Sequence, residues 1–267
     1  PMRAYLELIR FPAVFTAPAD VICGIALAGT LGASLESISA LTLVLASVCM
    51  YCAGMAANDI FDRAIDLEER PERPIPSGRI KLSHAWTLVV LLQMSALGLA
   101  YTISWEATLW TAGTILATYL YNAGFKSTFA GPLFMGLCRY GNGGLGLAIL
   151  PFAEIPGWAY LVFVPVAMYV VALTSVSGYE VGGESKPGRT YAIWATFLAA
   201  LGSIAVYIFG EVTVPWFVAL LALVPPLWLL PAGRAALATA SDGTTRGFVI
   251  RSIHGIVVMN AVVCGLL

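Results

Sequence analysis

The chain has 267 residues, of which 59% are hydrophobic and only 11% are charged. A soluble domain carries roughly 25% charged residues, so this chain has too few of them to cover a surface that faces water. Its net charge is −1, and it has no basic stripe or nucleic-acid-binding motif, which argues against a nucleic-acid partner. The composition therefore excludes an ordinary soluble domain and predicts a membrane protein.

Long apolar runs follow one another along the chain. Because a spanning helix needs about 20 predominantly apolar residues, these runs predict an all-α, polytopic bundle of about nine transmembrane helices. We expect one transmembrane domain over residues 1–267 and no cleavable signal peptide, because the first run leads directly into a span. The predicted spans are 12–32, 39–60, 84–103, 107–124, 131–151, 158–179, 190–209, 214–231 and 248–267.

The charged residues divide between two sets of connecting segments. All 14 Lys and Arg residues lie in the N-terminal segment or after spans two, four, six and eight, with Arg139 a short way into the fifth span. The only charged residues in the opposite segments are acidic, namely Glu36, Glu106, Glu154 and Glu211. Since positive residues mark the cytoplasmic side, the pattern predicts a cytoplasmic N-terminus, an outside C-terminus and an odd number of spans.

A first acidic motif lies at the cytoplasmic end of span two. Asn58, Asp62 and Asp66 are spaced at i, i+4 and i+8, which places them along one stripe of a helix. Such a stripe of oxygen ligands suits a hard divalent cation. The alternative is a solvated acidic helix end.

A second acidic motif lies at the cytoplasmic end of span six. Glu180 and Glu184 are again four residues apart, and Gly182 and Gly183 allow close approach of the backbone. The alternative is again an ordinary polar helix end.

Basic residues lie on the same membrane face as both acidic motifs, and many of them could simply contact lipid headgroups. Lys126 and Arg139 are the better candidates for a function, because a charge close to or within a span is energetically costly and a functional role is therefore the first hypothesis for it. Asn142 follows Arg139 by three residues. The basic residues of this face include Arg63, Arg70, Arg73, Arg79, Lys126, Arg139, Lys186 and Arg189.

Two carboxylate clusters beside basic residues indicate a polyanionic ligand that binds together with a metal cation. Mg²⁺ is usually held by carboxylates together with substrate phosphate oxygens, and basic groups stabilise the charge on a departing diphosphate. An apolar space between helices would hold a lipid tail, and the chain has no Gly-rich P-loop for a nucleotide. The pattern therefore predicts a site for Mg²⁺ and a lipid diphosphate.

The motif over 58–66, followed by Arg-Pro-Ile-Pro-Ser-Gly-Arg over 73–79, resembles the first signature of the UbiA superfamily of intramembrane prenyltransferases. The Leu-Ile-Arg-Phe-Pro segment over 8–12 is similar to the entry to that family's first helix, and 180–188 stands in the place of its second acidic signature. The resemblance covers nearly the whole chain. It implies a nine-helix fold that uses Mg²⁺ and a polyprenyl diphosphate.

The resemblance also implies roles for individual residues. Asn58, Asp62 and Asp66 would hold one Mg²⁺, and Glu180 and Glu184 the other. The chemistry would be ionisation of an allylic C–O bond and alkylation of an acceptor by the resulting carbocation. The residues in contact with the diphosphate would be Arg73, Lys126, Arg139, Asn142 and Lys186. Some aromatic rings could stabilise the carbocation, although most of them suit packing better; they are Phe61, Tyr119, Tyr121 and Phe125.

Two departures from the family pattern are visible. Both carboxylates of the second signature are Glu where Asp is usual. The family's Tyr-x3-Lys element is also altered, because Tyr121 precedes Lys126 by one residue too many and Asn122 takes the expected spacing. Segments 17–20, 136–142 and 180–183 are similar to the EboC-like branch.

Two other functions fit the sequence. A membrane terpene cyclase on the same scaffold would quench the cation within its own chain and need no acceptor. A transporter or non-catalytic lipid-binding protein is the rival from another class, but transporters often have helices broken near the bilayer midplane. Here the acidic residues lie at one face, which favours the prenyltransferase.

Overall fold

The computed structural model describes residues 2–128 and 130–177, and further along the chain only Ile208, Ile253, residues 255–258, Asn260, Ala261 and Cys264. Helices dominate the described part, and it contains no β-strand. Its α-helices are α1 (Met2–Leu8), α2 (Thr16–Thr30), α3 (Ser37–Phe61), α4 (Arg63–Glu69), α5 (Leu82–Tyr101), α6 (Trp105–Leu120), α7 (Gly131–Leu147) and α8 (Val164–Ser177).

The first six predicted spans each correspond to a helix of the structure. Within the described residues, four helical segments are long and apolar enough to cross a membrane, namely Phe11–Thr30, Ser37–Phe61, Leu82–Tyr101 and Gly157–Ser175. The α6 and α7 helices have 16 and 17 residues, somewhat below the usual length of a span. A π turn over Tyr121–Phe125 prolongs α6. The predicted spans 190–209, 214–231 and 248–267 lie largely outside the described residues.

The fifth and sixth predicted spans differ from the observed helices at one end. The α7 helix ends at Leu147 rather than near 151, and the Ser104 hydroxyl donates a hydrogen bond to the Ala148 carbonyl just beyond that end. The sixth span begins as a 3₁₀ helix over Gly157–Phe163 and becomes α-helical at Val164. Pro165 explains this change, because proline lacks an N–H and collides with the carbonyl four residues earlier.

The α2 and α7 helices cross with their backbones in direct contact. A Cβ at Gly24 would overlap the carbonyl oxygen of Gly143, and a Cβ at Gly146 would overlap that of Val21. Small residues at such crossings allow the close packing that drives helix association in membranes. This crossing sets the distance between Asp20 on α2 and the polar residues of α7.

The connection between α4 and α5 folds back onto the end of α3. Ile75 and Ile80 are buried in one apolar cluster with Ala57 and Ile60 of α3, and with Leu8 of α1. These contacts hold the 70–81 loop over the acidic motif. The loop is the segment that carries Arg73.

Candidate active site

The first acidic motif spans a break between two helices. The α3 helix ends at Phe61 and α4 begins at Arg63, with Asp62 between them. Backbone hydrogen bonds nevertheless continue through the break, from the Asp62 N–H to the Asn58 carbonyl and from the Asp66 N–H to the Asp62 carbonyl, each at 2.9 Å. The helical spacing predicted for Asn58, Asp62 and Asp66 is therefore preserved.

Lys126 reaches the first half of this motif from the end of the π turn. Its ammonium donates hydrogen bonds to the Asn58 Oδ1 atom at 3.1 Å and to the Asp62 carboxylate. The Asn58 amide in turn donates to the Asp62 Oδ2 atom at 2.9 Å. The structure thus joins three of the predicted site residues, although Lys126 is more than 60 residues from the other two.

Arg73 reaches the second half of the motif from the 70–81 loop. Its Nη1 donates to the Asp66 Oδ2 atom at 2.7 Å and to the Asp59 Oδ1 atom at 3.2 Å. Asp66 and Asp59 are 1% and 4% exposed, so both carboxylates depend on these partners. Asp59 precedes Asp66 by two helical turns, and both face the same side of the helix.

The electrostatic environment keeps Arg73 charged. Its burial alone would lower its pKa, but the nearby Asp59 and Asp66 carboxylates outweigh that effect, so that the pKa of Arg73 is raised above its ordinary value. Pro74 and Pro76 stiffen the loop, and the Ser77 hydroxyl and N–H both donate to the Arg73 carbonyl, at 2.6 and 3.0 Å. The loop therefore presents a rigidly held cation to the carboxylates.

Arg10 completes this group from the other side. Its Nη2 donates to the Asp59 Oδ1 atom at 3.1 Å. Its backbone is left-handed, with φ 50° and ψ 51°, and it is the only non-glycine residue with positive φ in the described part of the chain. Such a conformation usually favours glycine, and residues held in it concentrate at functional sites.

Arg139 and Asn142, which were predicted to contact diphosphate, lie in a separate buried network around Asp20. Asp20 is 2% exposed and accepts hydrogen bonds from Arg139 at 3.0 Å, Asn142 at 3.1 Å and Asn260 at 2.7 Å. Arg139 also donates to the carbonyl and hydroxyl oxygens of Thr16, both at 3.0 Å. The predicted roles of Arg139 and Asn142 remain predictions, because their described partners are protein groups.

The same network extends to α3. The Ser47 hydroxyl donates to the Asn142 Oδ1 atom at 2.7 Å, and the Asn142 amide also donates to the Ala17 carbonyl at 2.8 Å. Because these residues come from α2, α3 and α7, the network connects three helices through buried polar groups. The contact between Asp20 and Asn260 adds a fourth segment.

Three predicted site residues, Glu180, Glu184 and Lys186, lie outside the described residues, so the second acidic motif stays a prediction. Within residues 2–128 and 130–177, no group of three or more His, Cys, Asp or Glu side chains is arranged to hold a metal ion. Asn58, Asp62 and Asp66 still offer the oxygen donors that Mg²⁺ prefers, and Mg²⁺ usually takes only one or two carboxylates together with substrate phosphates. The described residues therefore fit a metal ion that is shared with a phosphorylated substrate.

Sequence reasoning missed Asp59 and Arg10 as parts of these polar groups. Asp59 was within the first motif, and its seven-residue spacing from Asp66 could have indicated a shared face. Arg10 lies two residues before Pro12 at the entry to span one, which gives no sign of its contact with residue 59. Asp20 could be identified as a charged residue inside a span, but its partners lie about 120 residues away or more.

Comparison with known proteins identifies the family. The model of the UbiA prenyltransferase family matches residues 19–253. The chain belongs to this family. A digeranylgeranylglyceryl phosphate synthase of Methanosarcina mazei is 30% identical over 240 residues, which cover 83% of this chain and 82% of that relative.

A second relative and a solved structure agree with this assignment. The digeranylgeranylglyceryl phosphate synthase of Sulfurisphaera tokodaii is 33% identical over 128 residues, which span 47% of this chain and only 44% of that relative's length. The structure of a UbiA homologue from Archaeoglobus fulgidus bound to DMAPP and Mg²⁺ matches with a TM-score of 0.69 at 20% identity, over 97% of this chain and 98% of that one.

These comparisons confirm the predicted superfamily and the predicted all-helical membrane fold. As a member of the UbiA family, the chain is an integral membrane protein. The EboC-like branch, the single domain over 1–267 and the roles of individual site residues remain predictions.

Proposed function

We propose that this UbiA family member is an Mg²⁺-dependent intramembrane prenyltransferase that ionises a polyprenyl diphosphate and transfers the prenyl group to an acceptor. In this reaction the bond between C1 of the prenyl chain and the diphosphate oxygen breaks, and its electron pair leaves with the diphosphate. A bond then forms between C1 and the acceptor, which gives up a proton. The family assignment and the acidic motif at the end of α3 support this proposal.

The observation that carries the proposal is the pairing of each half of the acidic motif with a basic side chain from another segment. Lys126 contacts Asn58 and Asp62, and Arg73 contacts Asp59 and Asp66. Carboxylates and cations gathered in this way can bind a cation and a polyanion at the same place. The neighbouring spans are apolar and supply surroundings suited to a prenyl tail.

Asn58, Asp62 and Asp66 would hold one Mg²⁺, and Glu180 and Glu184, which lie outside the described residues, would hold the other. The bound metal would neutralise charge on the diphosphate as the C–O bond breaks. This assignment uses only oxygen donors, in agreement with the preference of Mg²⁺.

Lys126 and Arg73 would exchange partners when the substrate binds. Before binding, each cation balances the charge of carboxylates at or just after the end of α3. The diphosphate oxygens would then accept the hydrogen bonds of both cations and release Asp62 and Asp66 for the metal. Because the cations act on the leaving group, they stabilise the charge that develops during ionisation.

Diphosphate release tests this function directly. Purified protein is expected to release diphosphate from geranyl, farnesyl or geranylgeranyl diphosphate in Mg²⁺ and not in EDTA, and Asp62→Ala is expected to slow release by about 100- to 1,000-fold. Glu36→Ala is the matched control, because Glu36 is exposed at the opposite end of α3. Protein that neither binds nor cleaves any of the three substrates, with or without an acceptor, would contradict the proposal.

The products identify the reaction class and the acceptor. The relatives' name suggests one acceptor to supply, a glyceryl phosphate lipid that carries a single geranylgeranyl group. A prenylated acceptor supports the transferase, whereas a cyclic hydrocarbon or terpene alcohol formed without any acceptor supports the cyclase. A linear prenol indicates simple hydrolysis.

We further propose that the N-terminus and this site face the cytoplasm, which follows from the distribution of Lys and Arg. In a variant lacking its five native cysteines, Glu36→Cys is expected to react with a membrane-impermeant maleimide on intact cells. Glu72→Cys, in the loop that carries Arg73, is expected to react only after the membrane is permeabilised. The reverse labelling pattern would contradict this orientation.

A further inference from the structure

The π turn over Tyr121–Phe125 lies directly before Lys126. In a π turn the backbone hydrogen bonds join residues five apart instead of four, and such turns occur frequently at functional sites. The proposed function makes no use of this turn. It nevertheless stands immediately before the ammonium group that contacts Asn58 and Asp62.

The turn decides which side chain lies beside Lys126. In a regular α-helix the residue four positions away lies on the same face, whereas the residue five positions away points about 140° around the axis. A regular helix would therefore bring Asn122 next to Lys126 and direct Tyr121 elsewhere. In the structure the Lys126 Nζ atom lies over the Tyr121 ring, 5.8 Å from its centroid.

Asn122 makes a different contact. Its amide donates a hydrogen bond to the Thr118 carbonyl at 3.0 Å, at the border between α6 and the π turn. The wider turn disturbs the regular hydrogen-bond pattern of the helix, and a side-chain amide can satisfy a backbone carbonyl there. Asn122 therefore stabilises the backbone of the turn, and the side chain that faces Lys126 is Tyr121.

We propose that Tyr121 is a positioning residue that holds the Lys126 ammonium over Asn58 and Asp62, where the diphosphate would bind. The proposal rests on the proposed function and adds a residue to the same site. The face of an aromatic ring attracts an ammonium group without accepting one of its conventional hydrogen bonds. The N–H donors of Lys126, two of which contact Asn58 and Asp62, can therefore turn to phosphate oxygens when the diphosphate binds.

Loss of the ring is expected to leave the long Lys126 side chain more mobile and to weaken diphosphate binding. A cation–π contact of this kind corresponds to roughly a 5- to 30-fold change in affinity, depending on how far it is removed from water. Tyr121→Phe keeps the ring and is expected to retain affinity within about 2-fold, whereas Tyr121→Leu loses the full contribution.

Binding of inorganic diphosphate in the presence of Mg²⁺, measured by calorimetry on purified protein in detergent, tests the proposal. Tyr121→Leu is expected to weaken binding without a matching loss of thermal stability. Asn122→Ala is expected to lower the unfolding temperature while leaving diphosphate affinity nearly unchanged. Tyr101→Leu is the matched control, since Tyr101 is 73% exposed at the end of α5.

A fluorinated series separates the ring's electrostatics from its shape. Phenylalanine, 4-fluorophenylalanine and 3,5-difluorophenylalanine at position 121 have nearly the same shape, but fluorine weakens the negative potential of the ring face. Diphosphate affinity is expected to fall stepwise through this series. Equal affinity across the series, or a loss that follows Asn122→Ala instead of Tyr121→Leu, would overturn the proposal.

The two proposals fail in different ways. If wild-type protein binds diphosphate with Mg²⁺ and the position 121 variants bind equally well, only the role of Tyr121 is wrong. If wild-type protein binds neither inorganic diphosphate nor any of the three prenyl diphosphates in Mg²⁺, the proposed function is wrong as well.

Discussion

Arg73→Gln is expected to lower kcat/KM for a prenyl diphosphate by about 100- to 1,000-fold, the loss typical of removing one group that stabilises developing negative charge. The structure gives the reason, because Arg73 is the side chain that joins Asp59 and Asp66. Glutamine keeps part of the length of the side chain but loses the charge and the fork of donors that suits phosphate oxygens.

The same substitution is expected to strengthen the binding of Mn²⁺ in the absence of substrate. Arg73 forms an ion pair with Asp66 at 2.7 Å, so a metal must compete with the guanidinium for that carboxylate. Electron paramagnetic resonance of added Mn²⁺ measures this affinity independently of turnover. The free energy of unfolding is expected to fall by about 1–3 kcal/mol. The loss is limited because Arg10 and Arg70 still face the two carboxylates.

Lys81→Gln is the matched control for Arg73→Gln. Lys81 is exposed in the same connection, at the residue before α5, and its charge is expected to matter little. If Arg73→Gln and Lys81→Gln show the same kcat/KM and the same Mn²⁺ affinity as the wild type, Arg73 does not act on the leaving group.

Asp20→Leu is expected to destabilise the bundle by about 3–5 kcal/mol, because it removes the buried carboxylate that pairs with the partly buried Arg139. Asp20 accepts from Arg139, Asn142 and Asn260, and all three donors would lose this shared acceptor together. Thermal unfolding in the same detergent measures the effect. Asp20→Leu unfolding at the wild-type temperature would show that the network contributes little to stability.

The double variant Asp20→Leu/Arg139→Met separates stability from ligand binding. Replacing a buried ion pair by apolar side chains is often neutral or stabilising, so the double variant is expected to recover much of the stability lost in Asp20→Leu. Its diphosphate affinity then tests the role predicted for Arg139. Affinity near wild type indicates a structural pair, whereas a loss of about 10-fold or more in a stable protein indicates a diphosphate contact.

The acidic motif shows how far local spacing can predict a site. Asn58, Asp62 and Asp66 were predicted to share one side of a helix, and the backbone hydrogen bonds confirm the spacing despite a break at Asp62. The break does not matter for this prediction because a helical turn depends on neighbouring residues alone. Partners from other helices do not follow from such spacing.

The contacts of Asp59 and Asp20 illustrate pairings between distant residues, which local spacing does not predict. Arg10 is 49 residues from Asp59, and Arg139 is 119 residues from Asp20. The sequence showed that these residues were charged, but not which of them would meet. The family resemblance assigned Arg139 and Asn142 to the diphosphate, whereas their described contacts are with α2 and α3.

The sequence by itself determined that this protein folds in a membrane and where its first six spans lie. It also predicts the side of the membrane on which the acidic motifs lie. Those features depend on hydrophobicity, charge and helical period, which are local properties of the chain. Tertiary structure alone decided that Arg73 joins Asp59 to Asp66, that Asp20 pairs with Arg139, and that Tyr121 rather than Asn122 faces Lys126. These pairings depend on how helices cross at their glycines and on one widened turn, because displacing a side chain by a few ångströms breaks an ion pair or hydrogen bond.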